Sequence, residues 1–246
     1  MKRVIYRVHY GFEYLYKSID SVSAWADEIL VVVSRNPWYT EPTVMYLGKQ
    51  TEIVNPEDID ANIARLESMP DVRVVVEEFA SPNGQWGSMV NKHTAEYVLT
   101  MEPDMVFPNH ESLQVLEEQT KQSNAVGCYN QIEFWKNTEW RIPQRNRLGP
   151  VMLKSPVNVQ TKFNNEPLPK ANATSNELVH NYGFCFSPEL MLYKHLLSIG
   201  FSRSIRDSIP AENWYKDKWL NWTPDTTNLE ISAKHAHLVH KAIPHK

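Results

Sequence analysis

The segment Tyr97–His110, YVLTMEPDMVFPNH, carries two carboxylates, Glu102 and Asp104, where an apolar run ends. Two residues apart in extended backbone, such side chains point the same way, and Pro103 between them stiffens the chain. Like charges aimed at one spot repel. A hard divalent cation, Mg2+ or Mn2+, relieves that repulsion and brings a diphosphate with it. The plain alternative is a solvated acidic turn that caps the following helix. Two further groups are candidates. Arg141, Arg145 and Arg147 lie next to Trp135 and Trp140 in a basic loop, a combination that holds phosphate or stacks on bases when it is more than a solvated loop. In the tail KHAHLVHKAIPHK, His235 and His237 share one face of a strand, and His237 and His240 one face of a helix. Imidazole can ligate a metal such as Mn2+; a zinc site has no cysteine spacing to support it, and three scattered surface histidines are the plain alternative.

The elements that must position these groups follow from periodicity. Arg3 to Val8 is β-branched and aromatic, and Gly11 interrupts it before FEYLYKSIDSVSAWA, where Phe12, Leu15, Ile19, Val22 and Trp25 recur at three and four. Glu28 to Val33, EILVVV, has the continuous apolar character of a parallel strand covered on both faces. Pro56 to Ser68 reads as a helix, Val72 to Val76 as a strand, Gly84 to Ala95 as a Gly-containing loop with a helix, and Tyr97 to Met101 as a fourth strand. Alternating strands and helices predict an α/β protein with an open, mostly parallel, Rossmann-like sheet flanked by helices. Ligands of such sheets bind outside the carboxyl ends of the strands, where Glu102 and Asp104 sit.

Beyond Pro108 the pattern changes. Ser112 to Gln122 predicts a helix and Ala125 to Phe134 one or two strands. Lys136 to Glu177 is rich in Pro, Asn, Arg and Lys with little periodicity, which suits a substrate-facing loop region or mobile cover. Pro188 to Ile199 predicts a helix with Pro in its first turn and Gly200 at its end. No repeat or low-complexity linker divides the chain, so one domain is expected over residues 1–246, with a nucleotide-binding half at 1–108 and an acceptor-binding half at 109–246.

Composition narrows the class. The chain has 246 residues, 42% hydrophobic, enough for a substantial core. A net charge of −4 lacks the basic excess of a general nucleic-acid binder. Cys128 and Cys185 cannot make a disulfide framework and read as buried free thiols, which fits a reducing cytoplasm. Met1-Lys2-Arg3 runs into a strand with no apolar signal region, and no stretch approaches the roughly 20 apolar residues of a membrane span, so a cytoplasmic location is expected. Asn172 and Asn221 stand in sequons that matter only in a secreted chain.

The order VHYGFEYLYKSIDSVSAWADEILVVVS followed by NKHTAEYVLTMEPDMVF resembles the family-two-like glycosyltransferases of the GT-A fold. The resemblance covers residues 3 to 108 and is patchy beyond. Glu102-Pro103-Asp104 matches the DxD-type metal motif with Glu for the first Asp, making Asp104 the firmer ligand. By position, the resemblance implies nucleotide contacts at Val8, His9, Tyr10 and Glu13 after the first strand and at Ser34 and Arg35 after the second. Many family members carry an acidic residue where this chain has Ser34-Arg35-Asn36, a departure that leaves base and sugar open. Asn91 and Lys92 match a helix-opening pair, with the lysine as a point charge for phosphate. Glu212, followed by Asn213 and Trp214, resembles the family's ED-like catalytic pair, with Asp207 and Asp217 as alternates. A C-terminal histidine, assigned to His237, completes the metal set.

The resemblance therefore implies a metal-dependent transferase, a hexosyl- or pentosyltransferase of inverting type. It would move sugar from a UDP- or GDP-linked donor to a glycan, lipid-linked or nucleic-acid acceptor, with Mn2+ or Mg2+ as cofactor. Two rivals stand beside it. A nucleotidyltransferase needs a Gly-rich basic loop after the first strand, where HYGFEY offers one glycine and no lysine before Lys17. A non-catalytic glycan or nucleic-acid binding protein would use the Trp and Arg cluster alone and show no metal dependence.

Overall fold

The computed structural model describes residues 1–36, 42–79, 82–93, 95–143, 149–155, 159–162, 166–169, 171–205, 212–229 and 241–245. The chain opens with β1 (Lys2–Val8), α1 (Phe12–Ser23), β2 (Glu28–Val33), the hairpin β3 (Thr43–Tyr46) and β4 (Lys49–Glu52), and α2 (Ile59–Glu67). It continues through β5 (Val72–Val76), α3 (Pro82–Lys92), β6 (Tyr97–Met101), β7 (Met105–Val106), α4 (Glu111–Ser123), β8 (Ala125–Cys128) and β9 (Gln131–Trp135). Then come β10 (Asn137–Arg141), β11 (Val151–Lys154), β12 (Val159–Lys162), β13 (Glu166–Pro169), β14 (Ala173–Ser175) and β15 (Val179–Phe184). Helix α5 (Pro188–Ile205), a π-helical turn at Tyr215–Leu220 and β16 (Ile243–Pro244) complete it.

Two compact units form: Met1–Trp38 with Asp58–Ile132 and Asn146–Asn181, and Tyr39–Glu57 with Glu133–Arg145 and Tyr182–Lys246. The first unit holds a seven-stranded sheet in the order β14-β8-β11-β6-β1-β2-β5. Strands β6, β1, β2 and β5 run parallel, β11 is antiparallel to both its neighbours, and β14 is parallel to β8. Alternation sorts the strand residues onto two covered faces. Val4, Tyr6, Val8, Ile29, Val31, Val33, Leu99 and Met101 pack with Phe12, Leu15 and Ile19 of α1, Ile63 and Leu66 of α2, and Leu113 and Leu116 of α4. Ile5, Leu30, Val32 and Val98 pack with Met89 and Val90 of α3. The expected open, mostly parallel α/β sheet flanked by helices is observed. Among the described residues no helix is long and apolar enough to cross a membrane. Both cysteines are buried thiols outside any disulfide, and burial pushes the Cys128 thiol up to about 12.

In the second unit the π-helical turn packs an aromatic cluster. Trp135 is fully buried, with the rings of Phe184 and Trp214 at 5.0 and 6.0 Å. The indole N–H of Trp219 donates to the Phe184 carbonyl at 2.9 Å, that of Trp214 to Leu229 at 2.8 Å. Trp135 is therefore core rather than part of a binding loop.

Three expectations are corrected. Gly200 does not end α5; it is buried within a helix that runs on to Ile205, so packing outweighs the roughly 1 kcal/mol cost of a helical glycine. Asn91 and Lys92 do not open a helix: α3 starts at Pro82, and the pair occupies its last turn, where a cation suits the negative end of the helix dipole. The span 136–177 is not simply irregular, because β10 to β14 lie in it and β11 is a buried strand of the central sheet.

Candidate functional site

From β1 the chain steps to β2 and then β5 on one side of the sheet, whereas β6 returns to the other side of β1. The order reverses between β1 and β6, and outside the carboxyl ends of those two strands an open α/β sheet forms its ligand crevice. Register determines what meets there. Tyr6 lies opposite Met101, so the next residues, Arg7 and Glu102, are neighbours, and their side chains form an ion pair. Arg7 is also stacked over Trp86 of α3 at 5.0 Å. The pair is mostly sheltered, with Arg7 13% and Glu102 36% exposed, so its charges are matched without full desolvation.

Glu102-Pro103-Asp104-Met105 is a turn, with the Met105 N–H donating to the Glu102 carbonyl at 3.2 Å and Pro103 in its favoured second position. The extended backbone expected across the two carboxylates is therefore absent. Nor is the turn solvated: Asp104 is 7% exposed, because β7 follows at once and pairs with β15, Asn181 lying opposite Met105. A buried carboxylate at the switch point, beside a second carboxylate already balanced by arginine, suits a single hard cation. Such an ion takes one or two carboxylates and completes its shell with water and phosphate oxygens. Among the described residues no three ligating side chains converge, and His235, His237 and His240 lie outside the described residues.

The ends of β1 and β2 make the adjoining wall. Val8 faces Val33, which brings His9 next to Ser34. His9 is 2% exposed and its Nδ1 sits 2.8 Å from the Ser34 carbonyl; since a carbonyl only accepts, Nδ1 carries the proton. Burial lowers the His9 pKa, opposed by that carbonyl and by the charge of Glu78, so the ring is neutral near pH 7. Val8 is core, Tyr10 is half-buried beside the His9 ring, and Glu13 is exposed in the first turn of α1, which starts after Gly11 in the left-handed conformation at φ 92°. Arg35 directs its guanidinium to Asp60 on α2. Lys92 pairs with Glu77 at 3.0 Å, and Asn91 is exposed.

In the second unit, Glu212 is exposed and its carbonyl accepts from His195 Nε2 at 3.1 Å. Asp217 is exposed in the π-helical turn; Asp207, Arg145 and Arg147 lie outside the described residues. Trp140 pairs edge-to-face with Trp222 at 5.2 Å. Sequence reasoning missed Arg7 and Glu78. Arg7 is the penultimate residue of β1 and Glu78 lies just past β5, and only the parallel register, invisible in sequence, brings Arg7 to Glu102 and Glu78 to the end of β2.

No protein-family model matches the chain, and no curated protein matches it. Among solved structures, the mannosyltransferase PcManGT from Pyrobaculum calidifontis in complex with GDP-Man and Mn2+ aligns with 86% of this chain and 66% of its own, at 13% identity and a TM-score of 0.47. TarS 1-349 from S. aureus aligns with 90% of this chain and 71% of its own, at 10% identity and a TM-score of 0.44. A 4-diphosphocytidyl-2C-methyl-D-erythritol synthase from Anaerococcus prevotii aligns with 78% and 94%, at 12% identity and a TM-score of 0.42. The chain spans 66% of the length of the mannosyltransferase. Likenesses this distant carry no part of the functional reading, which rests on the residues of this chain.

Proposed function

We propose that the protein is a GT-A-type glycosyltransferase that binds a nucleotide diphosphate sugar at the switch point between β1 and β6. The observation that carries this is the buried carboxylate of Asp104 at that point, next to the Arg7–Glu102 pair and the His9–Ser34 wall. Asp104, with Glu102 beside it, would hold a divalent cation, whose chemistry is to offset the negative charge that develops on the leaving diphosphate. The chain's own residues divide the remaining work. His9 and the 34–36 backbone bind the nucleoside, with the neutral imidazole held in place by the Ser34 carbonyl. Glu212 is the proposed base that takes the proton of the acceptor hydroxyl in an inverting transfer. Residues 1–108 are then the donor half of a single catalytic domain, and 109–246 its acceptor half.

Calorimetric titration of UDP and GDP, each with and without Mn2+, against wild type and Asp104→Ala tests the proposal. Metal-dependent binding of one nucleotide, lost in the variant, is expected. Binding of neither nucleotide to the wild type would remove the reading.

A further inference from the structure

The end of β2 is organised by a carboxylate from outside β1 and β2. Glu78 follows β5, the parallel neighbour in which Val76 lies opposite Val33. Its Oε1 accepts the Arg35 N–H at 3.1 Å and its Oε2 the Asn36 N–H at 3.2 Å. The Ser34 hydroxyl shares its proton between the Asn36 carbonyl at 3.1 Å and Glu78 Oε2 at 3.3 Å. Two successive amides closing on one anion is the grip of a backbone nest, and bonds to an ionised acceptor are the stronger kind. The same three residues present the Ser34 carbonyl that orients His9, so one carboxylate holds the loop and, through it, the ring.

We propose that Glu78 is a positioning residue for the nucleoside half of the donor: it holds residues 34–36 in the single conformation that recognises base and ribose, independently of Asp104, which serves the diphosphate. This rests on the donor-site reading above. Without the carboxylate, two amides lose their acceptor, the Ser34 hydroxyl keeps only the Asn36 carbonyl, and the loop samples several conformations. Apparent affinity then falls in proportion to the fraction that remains competent. A glutamine is a poor substitute, because its NH2 sets a donor against one of the two backbone donors. An aspartate keeps the charge but falls short by one methylene.

The test titrates UDP, GDP and inorganic pyrophosphate, all with Mn2+, against wild type, Glu78→Asp and Glu78→Gln, with amide hydrogen exchange followed at Arg35 and Asn36. In Glu78→Gln, nucleotide affinity is expected to drop about tenfold, as for a loop competent about one-tenth of the time. Pyrophosphate affinity should be unchanged, both amides should exchange faster, and Glu78→Asp should fall in between. Unchanged nucleotide affinity overturns the proposal, and so does an equal loss for pyrophosphate, which marks general damage. A wild type that binds none of the three probes fails the donor-site reading itself, a result distinct from either.

Discussion

His195 gives a prediction whose size follows from its surroundings. It lies fully buried on α5, with the rings of Tyr46, Trp214 and Tyr215 at 5.7, 5.6 and 6.5 Å. Nε2 donates to the Glu212 carbonyl, and Nδ1 is buried with no hydrogen-bond partner among the described residues. Burial lowers its pKa from the ordinary 6.5 to about 4, against a smaller opposite pull from the Glu212 carbonyl. The folded value lies below the unfolded one, so the unfolded chain takes up the proton first as pH falls. The stabilisation is complete above about 6.5 and is lost progressively as pH falls toward 4. At about 1.4 kcal/mol per tenfold difference in proton affinity, acidification from pH 7.5 to 4.5 removes about 2.5 kcal/mol through this group. Urea denaturation at both pH values, on wild type and His195→Gln, isolates it, because every other titrating group is common to the two proteins. At a slope of about 3 kcal/mol per M, the wild-type midpoint should fall just under about 1 M further than that of the variant. Equal falls would refute the reasoning and show that this ring is not held neutral. The segment carrying Glu212 is anchored by the same bond, and protonation at Nδ1 leaves that bond in place.

Two glycines make further predictions. Gly11 caps α1 at φ 92°, where a Cβ meets the following carbonyl, so Gly11→Ala should cost about 1–2 kcal/mol in chemical denaturation. A Cβ on Gly149 would come within 2.4 Å of Gln131 Nε2 and 2.9 Å of its Cδ, and Gln131 is itself 5% exposed. Gly149→Ala should therefore lower stability by about 1–3 kcal/mol, read as a drop in thermal midpoint.

Strands β2, β5 and β6 were legible to the residue, because each is a short, mostly apolar, β-branched run with polar and turn residues on both sides. Strand β11 was not. Four residues, VMLK, are too short to show a period, and their place between β6 and β8 is decided by pairing partners far away in sequence. The candidate site divides in the same way. Asp104 stands out in the sequence because ligand sites lie just past strand ends, and His9 because the family resemblance implies a nucleotide contact there. The Arg7–Glu102 pair and the hold of Glu78 on the β2 loop depend on which strands are neighbours, and that order is a property of the sheet. The aromatic cluster around Trp135 was read as a possible stacking surface because tryptophan spacing alone cannot distinguish a platform from a core; burial does.

The central claim is that Mn2+ and a nucleoside diphosphate meet outside the carboxyl ends of β1 and β6. Paramagnetic broadening of methyl-labelled methionines locates that point directly. Met101 ends β6 and Met105 follows Asp104, whereas Met1 and Met69 precede β1 and β5 at the other end of the sheet. A strand of five to seven residues separates the two ends by about 15–20 Å, and the broadening falls with the sixth power of distance. With Mn2+ and UDP or GDP present, the Met101 and Met105 signals should vanish while Met1 and Met69 persist, and Asp104→Ala should restore them. Broadening at Met1 and Met69 instead, or none at any of the four, would contradict the account.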